Sequence, residues 1–392
     1  MSIRVVSLWG AKRDPVKESS LPTPSNIDKG VRELVKLGYA IDPVHPLEVR
    51  RKSRSPLAKA LGKRLLILFA VPDLLRKAKG GDVVTYTSDI RWAFYCGILK
   101  KLGLLKAPTI TYWAGFDVDM EALKRPSRAR RYYDIALSGS DICRVISQHE
   151  LELWAQVYPE HAHRLRFHPT AVDMDYYQPH ASDTWSAAGE LVVIGDDAMR
   201  DWDLPLALAA RGRRITILSS SARAQALVAD LKPEDAQRVR LIPKAGFAKS
   251  AEIAAEASCL LLSTRPNNRF SGATTVGVAV GLKRPMVIDE PYDLAAYGLT
   301  PGQNCEAYAR GDVDSAMAAI DRVLTDTAHA ERLRVEIGRL TEALSITLWG
   351  DVLAGYIGEL IKPAASGPAV GPALVSAAAR SERALESQSS DA

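Results

Sequence analysis

Between Arg269 and Ile288 the chain reads RFSGATTVGVAVGLKRPMVI, with small and hydroxylated residues in front of an apolar, glycine-broken segment that stops at a proline. The pattern predicts a helix whose first turn is left uncovered. A helix amino terminus offers free N–H groups and a partial positive charge, and Gly272 lets a ligand approach the backbone closely. Ser271, Thr274 and Thr275 add hydroxyl donors, while Arg265 and Arg269 supply charge. The chemistry this favours is anion binding, with phosphate or diphosphate the best fit. The competing reading is structural: Ser271 caps the helix and the glycines permit close packing against a sheet. The glycine–lysine spacing of a P-loop is absent.

Such a loop needs a strand to carry it, and strand and helix signals alternate along the chain. IRVVSLW reads as a strand, Ser25 caps a helical pattern that ends at Gly38, and YAIDPV begins the next extended piece. The beat continues through DVVTYT, a helix to Gly103, TITYW, a basic helix from about Met120, ICRVI and a helix from about Gln148. After the polar, small-residue stretch PHASDTWSAAGE it restarts with LVVIG, RITIL, VRLIP, CLLLST and PMVID. Strands alternating with helices imply parallel sheets covered on both faces. The expected fold class is α/β, with two doubly wound, Rossmann-like domains facing across a cleft. Its boundaries are 1–180 for the first domain, 181–190 for a linker, 191–345 for the second domain and 346–362 for a helix crossing back. CLLLST then ends at the loop RPNNRF, so the anion loop stands at a strand's carboxyl end, where ligands of such sheets bind.

Composition agrees with a large globular chain. At 392 residues and 47% apolar it exceeds one ordinary core. Cys96, Cys143, Cys259 and Cys305 show neither paired nor metal-ligand spacing, which suits a reducing compartment. No signal peptide is read at the amino terminus, and LLILFAV is too short to span a bilayer. From residue 363 onward the chain is rich in Ala, Ser and Pro, and a disordered tail is expected.

Charge is unevenly placed. Residues 1–180 carry 29 basic and 19 acidic side chains, the rest 22 and 27. The excess concentrates in residues 50–79, where ten basic residues face one acid, Asp73, and Leu57, Leu61, Leu65, Leu68 and Phe69 recur near helical spacing. A basic amphipathic segment of this kind suits an anionic membrane surface, or is a solvated helix with its stripe in the core. Aromatic residues for base stacking are not interleaved, so nucleic acid is not expected as a partner.

Further stretches point to a family. RFHPTAVDMDYYQP resembles the PNGVDxxxFxP segment that closes the first domain of GT-B-fold glycosyltransferases of the large family of bacterial polysaccharide and lipid-linked sugar transferases. Asp173, Tyr177 and Pro179 match it, while Thr170 and Ala171 replace its Asn and Gly. LVVIGDDAMRDWDLPLALA looks like that family's phosphate loop, with Gly195 at the turn and Arg200 where a basic residue reaches the donor diphosphate. GDVDSAMAAIDRVL resembles its GDxxxLxxAIxxLL helix, so the resemblance runs from about residue 140 to 345. One departure stands out. The family's two donor-site glutamates fall, by alignment through Pro285, on Phe270 and Val278. Xanthan-type glucuronosyltransferases also depart from the pattern here and use a first-domain acid as base. By that resemblance Asp117, and after it Asp119, in YWAGFDVDMEALKRPSRARR are the catalytic candidates.

The resemblance implies transfer of a sugar from a nucleotide-sugar donor, UDP- or GDP-linked, to a glycan or lipid-linked acceptor at the cytoplasmic face of a membrane. No cofactor or metal is expected, because helix amides and Arg200 can stabilise the leaving diphosphate. Lys12 and Arg13, after the first strand, are placed to meet an anionic acceptor. His168 lies beside the interdomain hinge and reads as a structural histidine. The competing class is a non-catalytic relative that keeps the fold without the chemistry, and a sugar-nucleotide epimerase is a further possibility on the same fold.

Overall fold

The structure is a computed structural model and describes residues 3–8, 30–46, 66–113, 118–181, 185–243, 245–290 and 293–361. Twelve strands are described: β1 Arg4–Leu8, β2 Ala40–Val44, β3 Val83–Thr87, β4 Thr109–Tyr112, β5 Ile142–Val145, β6 Leu165–Phe167, β7 Leu191–Ile194, β8 Ile215–Leu218, β9 Val239–Ile242, β10 Cys259–Leu262, β11 Met286–Asp289 and β12 Glu306–Tyr308. They form two six-stranded sheets. The first runs β2-β1-β3-β4-β5-β6 and the second β9-β8-β7-β10-β11-β12, with every pairing parallel. β3, β4, β5, β8, β10 and β11 are buried along their whole length, as strands covered on both faces must be.

Helices supply the crossovers. In the first half they are α1 Val31–Lys36, α2 Leu66–Lys77, α3 Ile90–Lys101, α4 Met120–Leu123, α5 Arg128–Gly139, α6 Gln148–Val157 and α7 Met174–Tyr177. The second half holds α8 Asp203–Ala210, α9 Ala222–Ala229, α10 Pro233–Ala236, α11 Phe247–Ala255, α12 Ala273–Leu282, α13 Val313–Thr325, α14 Thr327–Gly338 and α15 Ile346–Ile361. The basic helix expected from Met120 is two helices, because Pro126 interrupts it and Ser127 caps a new start. β12 was not foreseen; three residues carry too little periodicity to be seen.

Two packing features position the site. In the second sheet the chain reverses direction between β7 and β10, so the loops after these strands meet at a topological switch point. α12 is buried on all sides except at Thr274. Its glycines allow this: a β-carbon on Gly281 would sit 2.8 Å from Tyr177 and one on Gly277 would sit 3.2 Å from Val172, so α12 packs directly on the segment that closes the first half. α15 packs back onto α1, and its Trp349 covers Gly30 and one face of the Arg144 guanidinium, 4.2 Å from the ring centre.

The described part of the basic segment is α2. Its Ile67, Ala70 and Leu74 lie in the core, while Leu68 is exposed. Arg76 and Lys77 pair with Asp73, and Lys77 also reaches Asp42. Within α2, therefore, the apolar stripe belongs to the first sheet's core; residues 50–65 lie outside the described residues. No described helix is long and apolar enough to cross a membrane.

Candidate functional site

The switch point of the second sheet is built around one arginine. Arg200, in the loop after β7, is 3% exposed and donates from Nη2 to the Thr275 hydroxyl in the first turn of α12 at 2.7 Å. Its Nε and Nη1 have no partner among the described residues. The guanidinium lies between two glycines: a β-carbon on Gly195 would fall 2.7 Å from Nε, and one on Gly272 would fall 3.1 Å from Nη1. Both glycines have positive φ, +138° and +107°, so residue type and geometry agree. Burial brings the Arg200 pKa down to about 10, which leaves it a cation at neutral pH.

The loop after β10 completes the edge. Thr264 is fixed by the buried Asp289, whose carboxylate accepts its hydroxyl at 2.6 Å. Arg200 and Thr264 form a short antiparallel bridge that ties the two loops together. Arg269 chelates Asp197 with both contacts near 3 Å (2.9 and 3.0 Å). Arg265 turns outward, its guanidinium 3.7 Å from Asp203. Ser271 is not the cap: its hydroxyl donates to Asn267 at 3.1 Å, and Gly272 occupies the N-cap position with no side chain capping the helix. Thr274 is exposed in the first turn. An uncapped helix terminus beside a buried, half-unpaired cation is an anion site in chemical terms.

The first half faces this edge. Asn268 donates to the Val118 carbonyl at 3.2 Å, which brings the β10 loop against the segment after β4. Asp119 is exposed there and caps α4 by accepting from the Ala122 amide at 3.0 Å. Asp117, Lys12 and Arg13 lie outside the described residues. The structure adds a carboxyl that the sequence reading missed. Glu150, in the first turn of α6, is 3% exposed; Trp154 donates to its Oε1 at 3.4 Å and its Oε2 has no partner among the described residues. Burial raises its pKa to about 8, opposed by its bond to Trp154 and by Arg269 across the cleft. In the sequence, Ser147 and Glu150 read only as an S-x-x-E helix start, and Ser147 does accept from the Glu150 amide.

The positions of the absent glutamates are apolar in three dimensions as well. Phe270 is 2% exposed and stacks on Tyr297 with ring centres 4.3 Å apart, and Val278 is buried in α12. His168 is buried under Trp349, and burial together with the nearby Arg144 lowers its pKa to about 3, so it is neutral. Among the described residues one group, Asp134, Glu160 and His161, has metal-ligand proximity; it belongs to the first half, on α5 and the turn after α6.

Two doubly wound parallel sheets, facing loops at their carboxyl edges and a last helix returning to the first half define the GT-B architecture. Solved structures share it along nearly the whole chain. Anabaena HepE in complex with UDP and glucose superposes with a TM-score of 0.64 at 13% identity, covering 91% of this chain and 100% of that one. Sucrose-phosphate synthase from Thermosynechococcus elongatus gives 0.68 at 12% identity, covering 91% and 99%. A UDP-forming trehalose-phosphate synthase from Burkholderia xenovorans gives 0.61 at 10% identity, covering 92% and 100%. At these identities the likeness establishes the fold. No family model matches the chain, and a search of curated proteins finds no match.

Proposed function

We propose that the protein is a glycosyltransferase that moves a hexosyl group from a nucleotide-sugar donor, UDP- or GDP-linked, to a glycan or lipid-linked acceptor in bacterial polysaccharide synthesis. The observation that carries this reading is Arg200: a buried cation with two donor groups unpaired, set against the uncapped start of α12 at the switch point. A diphosphate there gains the guanidinium and the first amides of α12 together. When the anomeric carbon–oxygen bond breaks, negative charge grows on the leaving diphosphate, and fixed donors in a dry site stabilise it most at that moment. This is a metal-independent scheme. Structures of the same fold that hold UDP or UDP-glucose support the donor class.

The acceptor hydroxyl needs a proton acceptor from the first half. Asp117 is our assignment, with Asp119 second; Lys12 and Arg13 would meet an anionic acceptor. We place the protein in the cytoplasm, at the inner face of the membrane through the basic charges of residues 50–79, the apolar stripe of α2 being committed to the core. The buried free thiols Cys96, Cys143, Cys259 and Cys305 suit such a reducing compartment.

The apolar places of Phe270 and Val278 favour a second reading, a non-catalytic partner that keeps the fold. One experiment separates the two. Thermal unfolding is followed against UDP, GDP, ADP, dTDP and CMP, with and without magnesium, for the wild type, Arg200→Ala and Asp117→Asn. A ligand at a hundredfold excess over its Kd raises stability by about 2.7 kcal/mol. A metal-independent shift that Arg200→Ala abolishes and Asp117→Asn leaves intact, with sugar transfer lost in both, supports the enzyme. Sugar transfer unaffected by either change refutes the proposed site.

A further inference from the structure

The anion edge accounts for a diphosphate, but a nucleoside must lie beyond it, and the usual carboxylate for its ribose is absent at Val278. The carboxyl edge of the second sheet offers a substitute on the other side. Asp196 follows Gly195 at the end of β7, and its Oδ1 accepts from the Ser219 hydroxyl at 3.0 Å and the Ser220 amide at 2.5 Å, both at the end of β8. The carboxylate therefore leans from β7 towards β8, on the side away from β10 and α12, with Oδ2 taking neither bond. One strand further, beyond β9, α11 begins at Phe247, which is 50% exposed. Its N-cap, Gly246, adds no side chain beside this ring.

Neighbouring strands lie about 4.8 Å apart, so β9 is about 10 Å from β7 along this edge. By strand order, Arg200 at the β7/β10 junction, Asp196 between β7 and β8, and Phe247 after β9 follow one another along this edge in the order diphosphate, ribose, base. We propose that the protein holds its donor nucleoside with Asp196 on the ribose hydroxyls and Phe247 stacked on the base, a relocated clamp in place of the missing glutamate. This rests on the donor-site reading above. A carboxylate accepts hydrogen bonds from hydroxyls, and an exposed aromatic ring offers any base a stacking face. A ring left half in water at a strand's carboxyl edge gains burial when a base covers it.

Calorimetric titration of the full chain with UDP, GDP, ADP and inorganic diphosphate tests this. Phe247→Ala should weaken the best nucleoside diphosphate roughly 5- to 100-fold, the span of base–aromatic stacking, and leave inorganic diphosphate unchanged. Phe247→Tyr should retain wild-type affinity. Asp196→Ala should weaken the nucleoside diphosphate roughly tenfold, the size of one hydrogen bond to a charged group, while diphosphate binds as well or better because a nearby negative charge is gone. Wild-type affinity in either alanine variant removes that residue from the clamp. Diphosphate binding without any nucleoside preference in the wild type overturns the clamp and spares the anion site. Binding of neither class by the wild type brings down the donor reading and the clamp with it.

Discussion

Asp293, in the loop after β11, grips the start of α6 in the other half of the molecule: it accepts from the Ser147 hydroxyl and, at 3.1 Å, from the His149 amide. Ser147 is itself the N-cap of α6, so the second half contributes a carboxylate to a helix terminus of the first. Asp293→Ala should loosen the two halves. Small-angle scattering would record a larger radius of gyration, with about 1–2 kcal/mol lost in stability, the usual worth of a capping group. An unchanged scattering profile would show that the clasp does not set the angle.

Arg200→Ala should lower nucleoside diphosphate affinity by about 100-fold or more, since two charge-assisted hydrogen bonds of about 1.5–3 kcal/mol each are removed. Arg200→Lys should not rescue it, because an ammonium cannot reach Thr275 and the anion as a fork does. Titration calorimetry decides this.

Gly272→Ala and Gly195→Ala should fail differently. At Gly272 the new methyl would sit 2.5 Å from Leu262 in a left-handed conformation, so stability falls by about 1–3 kcal/mol. At Gly195 the same backbone strain applies, but the methyl meets only the far end of Arg200 and displaces it, so affinity falls beyond what the stability loss explains. Denaturant midpoints set beside calorimetric affinities separate the two effects.

Glu150 makes stability depend on pH. Its folded pKa, about 8, lies above the ordinary 4.5, so between these values the folded chain keeps a proton that the unfolded chain has released. Stability is then fully present below pH 4.5 and declines as pH rises to about 8. The full decline is on the order of 5 kcal/mol. Glu150→Gln should flatten this limb, as seen in urea midpoints from pH 5 to 8.5. Below about pH 6.5 the neutral His168 contributes the opposite slope, so the test lies above it: a wild-type profile that rises from pH 6.5 to 8 would contradict the burial assignment.

Phe270→Glu, which restores the family's residue type, should destabilise the chain by about 3 kcal/mol or more and give no tighter nucleotide. The carboxylate would replace a ring stacked on Tyr297 in a place closed to water. Gain of nucleotide affinity in this variant would mean that the loop can re-form the family's ribose contact.

The sheets were legible because their strands are short, continuous apolar runs such as RITIL and CLLLST, which only strands covered on both faces require. The uncovered helix start was legible too, since Ser, Gly, Ala and Thr after such a strand leave a first turn without large side chains. Its assembly was not. Arg200 and Thr275 are 75 residues apart, and nothing local says that the arginine is buried or that Gly195 and Gly272 flank it. Glu150 hid inside a helix-start pattern, where a glutamate is the ordinary residue. Asp293 and Asn268 act across the cleft, and single-chain periodicity has no access to such contacts. Ser271 misled in detail: a serine before a helix predicts a cap, yet the left-handed Gly272 took that place.

Tyr297 stacks on Phe270, the residue just before Ser271 and Gly272, and its hydroxyl donates to the Ile146 carbonyl at 2.8 Å while accepting from the Thr170 amide at 3.1 Å. One side chain thus touches the anion loop's root and two separate stretches of the opposite half. Loop occupancy and the relative rotation of the halves are consequently linked quantities. Whatever factor a given rotation adds to ligand affinity, the ligand adds to the population of that rotation. A substitution beside Ile146 or Thr170 that meets no ligand would still register as altered affinity, and its size would measure that linkage.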